Sequence, residues 1–352
     1  MVDTTNKEGV PTTKKLKGDG ASFHMKDGSD SIPWIEKYRP QTLEDVAAHK
    51  EIIETIQRLS KEDKLPHLLL YGPPGTGKTS TILALARKIY GSSYQNNILM
   101  LNASDDRNIG VVRDQIQNFA STRRIFSTGF KLIILDEVDA MTKDAQFALR
   151  RVIEKYTKNT RFCLICNQAN KIIQALQSRC TRFRFAPLGE EIVERRLKEI
   201  LELEGVDFDE PGVKAVGVIS RGDMRKALNI LQATVLSSNK IGEDEVYLCT
   251  GTPLPKEIEQ IVRWLNNDSF SDCVENIRKL QTLRGLALTD ILEGIHAYIM
   301  RVHYPAEVRV FLVEGLADLE HRLAAGTSDT LQLGALVGIF MKARSTTCSM
   351  AV

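Results

Sequence analysis

The sequence holds no apolar run approaching the roughly 20 residues that cross a bilayer, and its first thirty residues lack the apolar stretch of an export signal. Both gaps argue against membrane insertion and secretion, and leave an intracellular protein as the expectation. Cysteine is scarce, six in 352 residues, too few for a disulfide scaffold in a chain this long. Aromatic residues make up only 6% against 43% hydrophobic residues, the proportions of a helix-rich soluble protein. A dominant charge is missing too. Lys and Arg number 47 against 45 Asp and Glu, a net +2, so any affinity for nucleic acid must come from local clustering rather than a global field.

What is present is length enough for two or three domains. Residues 1 to about 30 are rich in Thr, Lys, Gly, Asp and Ser without apolar periodicity, the pattern of a disordered tail. Within it, Lys14, Lys15 and Lys17 form a short basic run, open to a nucleic-acid or nuclear-import reading or to simple solvation. Cys163 and Cys166 are the one close cysteine pair. A second pair at metal-ligand spacing is absent and RFCLIC reads as a buried strand, so these are expected to be core residues.

From Ile32 to Pro187 short apolar runs alternate with helical patterns. HLLLY, ILML, KLIILDE, RFCLICN and RFRF are five strand candidates, which predicts an α/β domain with a parallel five-stranded sheet covered by helices. After Asp144 the residues Ala145, Ala148, Leu149, Val152, Ile153 and Tyr156 fall on one helical stripe. Beyond Pro187 the strand signal stops and helices are expected to the C-terminus, broken by EGVDFDEPG, SSNKIGEDE, TGTPLP and AAGTSD. A division at TGTPLP gives a small helical domain over 188–250 and an all-helical domain over 251–352, after an α/β domain over 31–187.

Gly72, Pro73, Pro74, Gly75, Thr76, Gly77, Lys78 and Thr79, followed by Ser80, satisfy G-x-x-x-x-G-K-[ST] between a strand and a helix. Glycines let the backbone wrap round phosphates, N–H groups and the helix N-terminus meet the negative charge, and Lys78 reaches the β- and γ-phosphates while Thr79 holds Mg²⁺. Asp136, closing LIIL, is suited to the Mg²⁺ shell, and Glu137 beside it to polarising a water against the γ-phosphate. Asn167 ends the next strand, where an amide can orient that water; on its own it reads as a strand-end turn residue. Arg179 in QSRCTRFRF and Arg225 in GDMRKALN are each either ordinary surface residues or guanidinium groups for phosphoryl charge. A GTP switch is excluded, because NKII at Asn170 lacks the Asp of a guanine reader. A small-molecule kinase needs no large helical domain of this kind.

With GPPGTGKT, LIILDEVDAM, LICN, QSRC and GDMRKALN in this order, the chain resembles the AAA+ ATPases, and specifically the small subunits of replication factor C. PWIEKYRP, LNASDDR and STRRIFSTGFK strengthen the match, which spans about residues 32 to 345. The resemblance implies an AAA+ fold with a helical lid and a C-terminal collar that joins subunits into a hetero-pentamer. It implies ATP and Mg²⁺ as ligands, and primer–template DNA and the PCNA sliding clamp as partners, in replication and repair in the nucleus. It places Lys78 and Thr79 on Walker A, Asp136 and Glu137 on Walker B, Asn167 on sensor 1 and Arg225 on sensor 2. Arg179 falls on the finger that reaches the adjacent subunit's ATP, and Tyr38, Arg39 and Pro40 on the adenine pocket.

Arg107, Arg113 and Lys171 match positions that track the DNA backbone; read as residues alone, solvated surface charges are the alternative. Asn108 stands where relatives often carry glycine, a substitution Asn tolerates better than most residues. A mainly structural subunit without productive turnover, and a different AAA+ machine such as a branch-migration motor, are the competing readings. Intact Glu137 and Asn167 weigh against the first, and the SRC and EKYRP elements against the second.

Overall fold

The computed structural model describes residues 32–46, 48–61, 65–104, 109–121, 130–238 and 240–350. The tail expected over residues 1–30, including Lys14, Lys15 and Lys17, lies outside that range, as do Arg107 and Asn108.

Five strands, β1 (Leu68–Tyr71), β2 (Ile98–Asn102), β3 (Lys131–Asp136), β4 (Thr160–Cys166) and β5 (Thr181–Arg184), form one parallel sheet in the order β2-β3-β4-β1-β5. Helices cover both faces of this sheet, so its central strands are apolar throughout rather than alternating. Leu68 and Leu70 of β1 join Leu132, Ile134, Cys163 and Ile165 on one face, with Ile53 and Ile56 of α2 (Lys50–Lys61) and Ile82 and Leu85 of α3 (Lys78–Tyr90). Leu69, Ile133, Leu135, Phe162 and Leu164 face the other way, against Ile116 of α5 (Ile109–Ser121) and Leu149, Val152 and Ile153 of α6 (Lys143–Tyr156). The short α4 (Tyr94–Asn97) leads into β2, and α7 (Gln174–Gln177) precedes β5.

Thr142 caps α6, its hydroxyl accepting from Ala145 N at 3.3 Å. The buried Gln146 binds α6 to its surroundings, donating from Nε2 to Met141 O and Lys171 O and accepting from Ile173 N at 2.8 Å.

The lid consists of α8 (Glu190–Glu204), α9 (Glu210–Ser220), α10 (Met224–Ser237) and α11 (Glu243–Thr250) around Val193, Leu197, Val216, Leu231 and Val246. Trp34 of α1 (Trp34–Lys37) is part of the same core, and its backbone N–H donates to Gln232 Oε1 at 3.1 Å. A parallel pair, β6 (Asp207–Phe208) with β7 (Lys240–Ile241), corrects the expectation of helices alone beyond Pro187. Each strand is two residues long and sits inside a stretch rich in turn formers, so no period-2 pattern could show it.

The collar, α12 (Pro255–Asn267), α13 (Phe270–Arg284), α14 (Leu288–Arg301), α15 (Ala306–Ala324) and α16 (Asp329–Met350), has its own core of Ile261, Ile277, Ile291, Ile295, Leu312 and Val337 among others. Arg221 at the end of α9 pairs with Glu293 of α14, linking lid to collar.

Candidate active site

Because every strand runs the same way, the turns that follow β1, β3 and β4 converge at one end of the sheet. The loop after β1 carries Gly72 (φ +145), Gly75 (φ +67) and Gly77 (φ +91), and α3 begins at Lys78 directly after it. At Gly75 a methyl group would lie 1.7 Å from Asp223 Oδ1 and 3.0 Å from Met224 N, so the close approach of lid to loop requires glycine. Met224 N donates to Gly75 O at 3.2 Å across that contact.

Lys78 is buried, and its ammonium donates to Gly72 O and Pro73 O, both at 2.7 Å, and to Asn167 Oδ1 at 3.1 Å. Burial holds its pKa below the usual lysine value, Asp136 opposes that shift, and Arg225 reinforces it. Thr79 Oγ1 donates to Asp136 Oδ2 at 2.8 Å, while Asp136 Oδ1 accepts from Glu137 N at 2.9 Å. Glu137 is left-handed (φ 55), a conformation that costs a non-glycine residue about 1–2 kcal/mol, and its exposed carboxylate lines the cavity. The turn after β4 is anchored by Asp139, whose Oδ2 accepts from Asn167 N (3.2 Å) and Gln168 N (3.1 Å).

Asp223 caps α10, accepting from Arg225 N (2.8 Å) and Lys226 N (3.2 Å), and Arg225 thereby faces the same cavity of about 490 Å³, a size that suits a small-molecule ligand. Tyr38, Arg39 and Pro40 line it with Pro74, Gly75, Thr76, Gly77, Lys78, Thr79 and Ser80. Gly72 and Pro73, also expected there, do not line it; their carbonyls serve Lys78 instead. The apolar wall of Val46, Ala48, Leu188, Ile200 and Leu228, and the polar Asn102, Asp45 and Arg196, are not expected from the sequence. None carries a local motif; they are inward positions of separate elements that meet only in the fold. Tyr38 OH and Lys37 Nζ (2.6 Å) both donate to Glu204 Oε1 of α8, fastening this segment to the lid.

Arg179 stands apart from the group. It lies two residues before β5, whose register with β1 pairs Leu68 with Thr181 and Tyr71 with Arg184, so it sits at the end of the sheet opposite the Lys78 loop. It does not line the cavity; it pairs with Glu154 of α6. Of the three residues expected at DNA, Arg107 is outside the described residues, Arg113 is described only in its backbone within α5, and Lys171 is exposed on the turn Ala169–Lys171.

Residues 68–188 match the ATPase family associated with various cellular activities (AAA), and residues 253–338 the replication factor C C-terminal domain. Replication factor C subunit 3 of Oryza sativa subsp. japonica is 59% identical over 321 residues, 90% of this chain and 89% of that protein. The chain belongs to the replication factor C subunits. Replication factor C subunit 5 of Homo sapiens is 56% identical (89% of this chain, 93% of that one), and subunit 3 of Saccharomyces cerevisiae 49% (89% and 94%). As a replication factor C subunit it is an AAA+ ATPase of a clamp loader acting in DNA replication. Among solved structures, a variant of Thermotoga maritima RuvB aligns with a TM-score of 0.50 at 17% identity, covering 76% of this chain and 93% of that one; this likeness is one of fold alone.

Proposed function

We propose that this replication factor C subunit works in a hetero-pentamer with the other subunits, joined through the collar, in the nucleus. Bound ATP lets the assembly open the PCNA clamp and grip a primer–template junction, and hydrolysis releases it, in replication and repair. Residues 31–187 are read as the nucleotide-binding domain, 188–250 as the lid and 251–352 as the collar.

Within the chain, Lys78 neutralises the β- and γ-phosphates, Glu137 takes the proton of the attacking water, Asn167 orients that water, and Arg225 meets the γ-phosphate from the lid. The base packs between Tyr38, Arg39 and Pro40 and the apolar lid residues. The hard oxygens of Thr79 and Asp136, 2.8 Å apart, fit Mg²⁺; when bound, the ion neutralises phosphate charge. Arg179 supplies the finger to the neighbouring subunit's ATP. Lys171, with Arg107 and Arg113, follows the DNA phosphates without reading sequence.

One observation carries this reading: the groups from Lys78 to Arg225 share one cavity, while Arg179 is at the other end of the sheet. A site so divided is completed by another chain. The test is ATP turnover by the isolated chain and by the chain reconstituted with the other four subunits, each with and without clamp and primed DNA. Stimulation only in the complete mixture is expected. Strong turnover by the chain alone, indifferent to clamp and DNA, removes the shared-site reading. In the same assembly Lys78→Ala abolishes ATP binding at this subunit, and Glu137→Gln binds ATP but stalls clamp loading.

A further inference from the structure

The guanidinium of Arg179 is held at two points. Nη1 donates to Ala175 O at 2.7 Å, and Nη2 is paired with Glu154 Oε1. The same Oε1 accepts from Arg150 Nε at 3.1 Å, one helical turn earlier on α6. A single carboxylate oxygen therefore holds two guanidinium groups together that would otherwise repel one another. The two arginines keep the Glu154 carboxyl below the ordinary glutamate range, the Arg150 hydrogen bond contributing most, so it is ionised at neutral pH.

Glu154 is itself on a fixed element. The opposite face of α6 is buried through Ala145, Leu149, Val152 and Ile153, and Gln146 ties it to the turn after β4. A planar guanidinium carries five N–H donors in a rigid fork. With one directed at Ala175 O and one at Glu154, its plane is set and the other donors are free to face outward. The pair is partly exposed, 32% for Arg179 and 41% for Glu154. Such a contact is weak in water, enough to select an orientation and too little to compete with a phosphate.

We infer that Glu154 is a positioning residue for Arg179, presenting the guanidinium to the γ-phosphate of the ATP bound by the adjoining subunit. The inference rests on the proposal that Arg179 acts on a neighbour. It assigns to a residue 25 positions away in sequence the task of fixing the geometry of a finger whose value depends on placement, where a displacement of about 1 Å can cost on the order of 10²-fold.

The experiment compares complete reconstituted loaders carrying Glu154→Gln, Glu154→Asp, Arg179→Ala or both Glu154→Gln and Arg179→Ala, with clamp and primed DNA. The loss caused by Arg179→Ala defines the share of turnover that depends on the finger. Glu154→Gln is expected to lower kcat of that share about 10-fold with KM for ATP changed less than about 2-fold. Glu154→Asp, which keeps the charge on a shorter side chain, restores part of it. Adding Glu154→Gln to Arg179→Ala produces no further loss. Wild-type kcat in Glu154→Gln, or an equal fall in the Arg179→Ala background, overturns the inference while leaving the finger in place. Wild-type kcat in Arg179→Ala overturns the finger itself, and the inference with it. Glu154 is exposed, so each variant is expected to assemble, which size-exclusion chromatography checks.

Discussion

Thr79 Oγ1 donates a 2.8 Å hydrogen bond to Asp136 Oδ2, joining the first turn of α3 to the last residue of β3. Two motifs 57 residues apart in sequence thus meet through a hydroxyl and a carboxylate. Thr79→Val keeps the shape and removes the donor. It is expected to cost about 1 kcal/mol of stability, a fall of roughly 2–4 °C in Tm, and to lower ATP turnover by the assembled loader about 10²-fold or more. Full turnover at the lower Tm would restrict the contact to a structural role.

Gly75→Ala places a methyl group where Asp223 and Met224 dock on the phosphate loop, in a backbone region that L side chains resist. The strain alone is about 1–2 kcal/mol. The variant is expected to melt roughly 5 °C below the parent and to bind ATP more weakly, because the lid can no longer seat on the loop. Calorimetry and equilibrium ATP titration measure both.

His67 precedes β1, with Nδ1 accepting from the buried Phe162 N at 3.1 Å and Nε2 3.3 Å from Thr157 Oγ1. Burial, assisted by Arg161, lowers its pKa from 6.5 to about 4. The unfolded chain therefore binds the extra proton first. The stability due to neutral His67 is complete above pH 6.5 and is lost progressively as pH falls toward 4, up to roughly 3 kcal/mol. Melting curves between pH 7.5 and 4.5 are expected to fall more steeply for the parent than for His67→Gln, which offers an acceptor without a titrating ring. Parallel slopes would rule His67 out as the cause.

Thiol reactivity separates the cysteines. Cys249 is exposed, whereas burial pushes the Cys166 thiol up to about 12 and Cys163 well above the ordinary range. Iodoacetamide at pH 8 is expected to label Cys249 in the native protein and to leave Cys163 and Cys166 unmodified until denaturant is added, as peptide mass spectrometry will show. Native labelling of the pair at a rate like that of Cys249 would contradict their place in the core.

The half of the site around Lys78 is legible in the sequence because each part is local: eight consecutive residues from Gly72, and single polar residues ending the apolar runs of β3 and β4. The central strands β1, β3 and β4 are equally readable, since burial on both faces leaves nearly unbroken apolar stretches, while the edge strand β5 shows instead as the alternation in RFRF. The apolar half of the cavity is not legible. Leu188, Ile200 and Leu228 belong to the inward sides of lid segments, and nothing in their own neighbourhood distinguishes a side chain that lines a cavity from one that fills a core. Asp139 escapes for a related reason: its carboxylate acts on the backbone of Asn167 and Gln168, 28 and 29 residues away, a pairing that only the β3–β4 register creates. Glu154 reads simply as the solvated side of a helix.

Trp34 is built into the lid core beside Leu231, and Tyr38, four residues on, lines the cavity. The segment that begins at Trp34 therefore packs with residues nearly two hundred positions later in the sequence. Dissection at the limits of the AAA match, residues 68–188, would keep the glycine-rich loop and Leu188 and remove Tyr38, Arg39, Pro40, Ile200, Arg225 and Leu228 from the cavity wall. Such a fragment would keep the loop around Lys78 and lose most of the remaining walls of the cavity.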